Sequence, residues 1–314
     1  MSIMTETEAK AILDKVIALS TADECTAQLT GSIDGNIRFA LNNVSTSGVV
    51  SNTDLAVQVA FGKRVGAATI NEFSDDALAR VVRRAEDLAK LAPENPEFVP
   101  AVGRQAYRPS DTFSAATAAI TPEQRAEIAH ASIAPCRAEN LIAAGFLNDG
   151  QSFVAFANSN GNFGYQRATG LDYTCTVRTA DGRGSGWVGR NLQDSSAFNA
   201  GDDIQIAMRK ASASVDAQAL EPGKYTVILE PAAAAGLISF MMRFFDARTA
   251  DEGRSFLSKK GGGNKLGEQV YDPQVNLVAD PWNEIGPVLP WDGEGMPRQR
   301  MPIIENGKVA NMFY

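Results

Sequence analysis

A chain of 314 residues, 44% hydrophobic and 21% charged, is globular in make-up and, at about 150 residues per domain, long enough for two domains. Its 29 Lys and Arg against 37 Asp and Glu give a net charge of -8, the wrong sign for a protein that gains affinity by neutralising phosphates, so direct nucleic-acid binding is not expected. A single histidine, His130, excludes any mechanism that draws two imidazoles from this chain.

Three cysteines, Cys25, Cys136 and Cys175, lie far apart and form no CxxC pair, so they read as reduced, mostly buried thiols. The opening MSIMTETEAK is acidic and lacks a basic stretch ahead of an apolar one, so no secretory leader is expected. The longest weakly polar run, about a dozen residues from Pro231 to Met242, is shorter than the ~20 a membrane helix needs. The cytoplasm is the expected compartment.

In chain order, Ile12, Leu13, Val16 and Ile17 recur at helical spacing over residues 5–20. From Glu24 to Phe73 short β-branched segments alternate with turn pairs, predicting antiparallel hairpins. Asp34-Gly35 and Gly62-Lys63 are the expected turns, because glycine accepts positive φ. Ser74 caps a helix to about Leu91, with Leu78, Val81, Val82, Ala85, Leu88 and Ala89 as its stripe. Residues 93–121, rich in Pro, Ser, Thr and Ala, are the expected linker.

Thr121-Pro122-Glu123-Gln124 then starts a helix with a capping box. Strands follow at Leu141–Leu147, Ser152–Ala157 and Tyr173–Arg178, with a turn at Asn158-Ser159-Asn160-Gly161. Asp202 or Asp203 is the expected cap of a further helix. Tyr225–Leu229 is expected as a strong strand, and Glu230-Pro231 opens a helix through Phe245 whose Leu237, Ile238, Met241, Met242 and Phe245 read as core.

The chemistry-bearing motifs are weak. Gly184-Ser185-Gly186-Trp187-Val188-Gly189 matches GxGxxG, but no amphipathic helix follows it, so it reads as a glycine-rich hairpin rather than a pyrophosphate loop. Residues 259–265, KKGGGNK, lack the Gly-Lys-Ser/Thr order of a P-loop. His130 has no ligand partner at i+3 or i+4. Asp246, Asp251 and Glu252, or Asp292 and Glu294, match no calcium loop. No GxSxG elbow exists.

Several segments in order resemble the TldD/PmbA family, described as modulators of DNA gyrase and as zinc metallopeptidases. They are Val57–Gly66 with the helix after Ser74, Phe156-Ala157-Asn158-Ser159-Asn160-Gly161, Gly223–Pro231, Asp292-Gly293-Glu294-Gly295-Met296-Pro297 and Ile303-Ile304-Glu305-Asn306-Gly307. The resemblance covers essentially the whole chain. It implies an α+β fold: an N-terminal antiparallel sheet with packed helices in 1–100, a middle domain in 101–218, and in 219–314 the start of a mostly β, metalloprotease-like C-terminal domain. Family members continue further, so the chain is expected to be a fragment or a short variant.

In the catalytic TldD branch the helix after strand and proline carries HExxxH, two zinc ligands flanking a glutamate that activates water. By the family spacing those positions fall on Ser239, Phe240 and Phe244, none of which supplies imidazole or carboxylate. The resemblance therefore implies the TldE/PmbA branch: a subunit without its own catalytic residues, cofactor or metal, paired with a zinc-bearing TldD-like partner that cuts peptides. Two alternatives stand beside it. One is an active peptidase with an unrecognised site of carboxylates and cysteines, such as Asp292, Glu294 and Cys175. The other is a regulator that binds a protein such as gyrase directly.

Overall fold

Alternation of small or apolar with polar residues over 24–40 builds a 17-residue strand, β1 (Glu24–Ala40), whose odd-numbered side chains share one face. The computed structural model, which describes residues 2–313, pairs it on both sides. Preceding it is α1 (Glu6–Leu19), closed at its start by a capping box between Thr5 and Glu8. Next come β2 (Asn43–Phe61), β3 (Arg64–Ile70) and α2 (Asp75–Leu91), the last capped by Ser74, whose hydroxyl accepts from the Ala77 amide. A single turn, α3 (Ala115–Ala118), and α4 (Pro122–Ala138) lead to β4 (Leu141–Asn158), β5 (Phe163–Thr179), β6 (Ser185–Leu192) and α5 (Ala200–Ala213).

The six strands form one antiparallel sheet in the order β3-β2-β1-β4-β5-β6. The α+β expectation holds, with one sheet spanning residues 24–192. It carries two cores on one face. Cys25, Ala27 and Leu29 of β1 and Phe153 and Ala155 of β4 pack with α1 and α2. Further along the same strands, Ile37 and Phe39 and then Ala143 and Leu147 pack with α4 and α5. The pairing of β1 with β4 is what makes the two halves one unit, which comprises residues 1–217 and 284–298.

Between the two cores the sheet thins. Gly35 pairs with Asp149 and Asp34 with Gly150, and the Arg125 guanidinium of α4 lies flat over Gly35, 1.9 Å from where a Cβ would stand. Arg125 donates from Nε and Nη2 to the two Asp149 carboxylate oxygens at 2.6 and 2.8 Å, both side chains being buried. Asp34-Gly35 is therefore mid-strand, contrary to the turn expected from its sequence. The turn lies at Leu41-Asn42, both with positive φ (50° and 59°), and Asn42 fixes it by donating to the Leu141 carbonyl.

Glycines also set the two flanks. A Cβ on Gly66 of β3 would lie 2.3 Å from the Ala85 carbonyl of α2, and one on Gly186 of β6 would lie 2.0 Å from the Ala207 carbonyl of α5. Thus Gly186, part of the GxGxxG match, serves close strand-to-helix packing. Asn199, rather than Asp202 or Asp203, caps α5; Asp203 turns inward as an ion pair with Arg190.

Residues 93–121 are no free linker. Their first part is a strap on the face of the sheet away from the helices, where Glu24 accepts from the Ala101 amide and Asn158 donates to the Val102 carbonyl; further on, the Thr169 amide donates to the Thr112 carbonyl and the Thr169 hydroxyl accepts from the Ser114 amide. The outer edge of β2 beyond β3, from Asn43 to Asn52, is exposed throughout.

A second unit comprises residues 218–283 and 299–314. It holds α6 (Pro231–Met242), α7 (Ala247–Asp251), β7 (Leu277–Ala279), β8 (Met301–Glu305) and β9 (Lys308–Val309) around a small core that includes Phe245, Leu257, Ile303 and Val309. Here one expectation fails and another holds only in part. Tyr225–Leu229 is not a strand: among the described residues nothing pairs with it, and Ile228 is fully exposed. A β-prone run without a neighbour has no ladder to complete. The helix expected as core is so only at its end: Leu237 and Ile238 are exposed, Met241 and Met242 are half-buried against the small core, and Phe245, just beyond α6, is fully buried in it. No helix among the described residues is long and apolar enough to cross a membrane.

Removing one member of the Arg125–Asp149 pair leaves a buried uncompensated charge, so Asp149→Ala is expected to cost about 3–5 kcal/mol of unfolding free energy. The double change Arg125→Met/Asp149→Leu is expected to cost much less. Urea denaturation of the three proteins decides it; equal losses for single and double variants would show that the pair is not what the site depends on.

Candidate functional site

Two places invite a functional reading, one in each unit. In the second unit, the positions where the resemblance places HExxxH fall on and just beyond α6. Ser239 is exposed on the helix, Phe240 stacks edge-on against Phe244 at 5.7 Å, and Phe244 in turn against Phe256 at 5.7 Å. One hydroxyl and two phenyl rings supply no imidazole or carboxylate, so these residues do not fit a zinc ion. Among the described residues no three His, Cys, Asp or Glu side chains gather in a way that could hold a metal.

In the first unit a cleft of about 320 Å³ opens on the sheet face away from the helices. Its floor follows from the period of two: with Cys25, Ala27 and Leu29 turned to the helices, Glu24, Thr26 and Gln28 must point the other way. The pairing aligns Gln58, Thr26 and Asn158 as one cross-strand row and Gln28 and Phe156 in the next. Over this floor the strap segment 95–102 forms one wall and the turn 291–295 the other.

The turn is held firmly. Asp292 accepts from the Glu294 and Met296 amides at 3.0 and 2.9 Å, and the Tyr107 hydroxyl donates to the Gly295 carbonyl at 2.6 Å. Trp291 packs between Tyr107 and Phe156, with ring centroids 5.0 and 5.4 Å away, and burial pushes the Tyr107 phenol pKa up. Asn158 closes the adjoining turn by accepting from Asn160 and Asn162, so the Asn-Ser-Asn-Gly expectation is met, with Gly161 at φ 80°.

The structure brings together some residues singled out by sequence and separates others. Asp292 and Glu294 are both exposed at the cleft, whereas Cys175 is buried among the apolar side chains on the opposite face of the sheet. Those three build no common site. His130 is exposed on α4, Asp246 caps α7 through the Thr249 amide, and the 259–265 loop turns through Gly261, Gly262 and Gly263 at positive φ. Sequence reasoning missed the floor residues Glu24, Thr26, Gln28 and Gln58. The signal that could have found them was the polar half of the β1 alternation.

Three family models now match in order: the PmbA/TldA metallopeptidase domain 1 over residues 28–89, the central domain over 116–215 and the C-terminal domain over 222–314. The chain belongs to the PmbA/TldD family. Solved structures agree in fold. TldE from Thermococcus kodakarensis superposes with a TM-score of 0.82 at 18% identity, over 96% of this chain and 69% of that one. A protein named as a candidate modulator of DNA gyrase from Thermotoga maritima gives 0.84 at 18% identity, over 97% and 70%. Its counterpart from Bacteroides thetaiotaomicron gives 0.85 at 18% identity, over 99% and 72%. No curated protein matches.

Within this PmbA/TldD chain the cysteines are inert by position. Burial pushes the Cys25 and Cys175 thiols up to about 11 and Cys136 to about 12, far above the pH at which a free thiol ionises. All three are buried and unpaired by disulfides. At pH 8 the native protein is therefore expected to react negligibly with a thiol-specific chromogenic disulfide, and the guanidinium-unfolded protein to release three equivalents. Fast reaction of the native chain at any of the three would contradict this burial.

Proposed function

We propose that the chain is a TldE/PmbA-like subunit of a TldD-type protease assembly, contributing wall and peptide-handling surface while a TldD-like partner holds the zinc and cuts. The observation that carries this reading is the set Ser239, Phe240 and Phe244 at the family's motif positions, in a chain that matches all three family domains. Peptide hydrolysis by this metal chemistry needs ligands for zinc and a general base beside it. The helix offers neither. TldE from Thermococcus kodakarensis shares the fold. The exposed apolar surface of α6 and of Val227 and Ile228 supports an assembled state, because monomeric proteins rarely leave contiguous apolar surface in water. In this reading the assembly works in the cytoplasm on peptide substrates.

The test joins two measurements on the purified, tag-free chain. Elemental mass spectrometry after dialysis is expected to find far less than one zinc per chain, with no peptidase activity in the same sample. Co-expression with a TldD-like chain is expected to give a stable complex that hydrolyses peptides and loses activity with a chelator. Chelator-sensitive hydrolysis by the isolated chain would replace this reading with an active peptidase. A salt-sensitive complex with gyrase, and none with the TldD-like chain, would replace it with a direct regulator.

A further inference from the structure

The cleft over β1, β2 and β4 has a chemistry that its place in the fold does not require. Its floor presents Thr26, Gln28 and Gln58, whose side chains make no hydrogen bond among the described residues. The two glutamines are exposed, and polar groups on the floor of a cleft are open to a ligand. Aromatic and aliphatic surface lies beside them: Phe98 and Val99 of the strap, with Phe156 and Trp291. The ionisable side chains lining the cleft are Glu24, Glu97, Asp292 and Glu294; no Lys, Arg or His is among them.

We infer that this cleft binds the basic side chain of an extended peptide. The carboxylates set the sign of the charge it accepts, and clefts walled by low-dielectric protein concentrate such a field. The apolar wall suits the methylene stem of a lysine or arginine, which packs on apolar surface while its head stays polar. The exposed amides of Gln28 and Gln58 can each donate to and accept from a peptide backbone, which accords with a peptide carrier. Only the choice of a peptide rests on the proposed role as a peptide-handling subunit; the cation preference rests on the cleft alone.

The experiment titrates the full chain with a fluorescent, end-blocked pentapeptide, alanine on either side of a central lysine, and with the same peptide carrying norleucine or glutamate instead. Anisotropy is expected to show the lysine peptide binding at least about tenfold more tightly than either analogue, and losing affinity as salt rises from about 50 to 500 mM. Glu24→Gln with Glu294→Gln, the new amide oxygen at 24 still able to accept from Ala101, is expected to weaken the lysine peptide about tenfold with the circular dichroism spectrum unchanged. The salt series and the norleucine comparison stand even if that variant misfolds.

Equal binding of lysine and norleucine peptides, or no binding at all, overturns the inference. Displacement by n-butylamine at the same concentration as by unlabelled lysine peptide overturns the peptide part. A chain that pairs with a TldD-like partner but ignores the lysine peptide fails this inference alone, whereas a chain that binds the peptide but pairs with no such partner fails the proposed function alone.

Discussion

Continuous pairing of β1 with β4 is the constraint on which the first unit depends. Each strand is long enough to serve both helix pairs, so neither core is complete without the other's strands. A rigid ladder through two cores leaves little room for slippage, because a one-residue shift would turn every buried side chain toward the cleft face. The weak place is the junction, where glycines stand in both strands. The Arg125–Asp149 pair fills it, and its geometry sets which residues sit opposite one another there. Such a pair contributes little net stability over an apolar filling, whereas leaving either charge buried alone is costly.

That ladder also creates the candidate site. Helices cover one face of the sheet; on the other, the strap and the 291–295 turn leave a slot whose floor is the polar half of the strand alternation. Much of this was legible in the sequence at short range. Thr5, Ser74 and Thr121 announced their helices because a cap is a local hydrogen bond, and Gly62-Lys63 announced its turn for the same reason. The long-range features were not legible. Nothing near Asp34-Gly35 signals that an arginine ninety residues later will lie on the glycine, and proline-rich composition in 93–121 does not distinguish a strap from a linker.

The second unit shows the opposite limit. Its sequence reads as strand and buried helix, yet Tyr225–Leu229 and α6 stand largely in solvent. Propensity described what those residues favour once a neighbour is present, and α6 carries its apolar side chains whether or not one is. The residues at and just beyond the end of α6 belong to this picture. Phe240 and Phe244 form an aromatic run with Phe256, suited to packing rather than to ligation.

The short Leu41-Asn42 turn has a kinetic side. Closing two residues costs little loop entropy, so β1 and β2 can zip together as a local hairpin on microsecond scales. The partner on the other side of β1 is more than a hundred residues away along the chain, and β4 must itself first meet β5 or find β1 directly. A topology whose central seam joins such distant segments has high contact order and belongs with the slow folders. Until that seam closes, one flank of β1 stays open, and the molecule passes through its most aggregation-exposed moment with its two halves built and not yet joined.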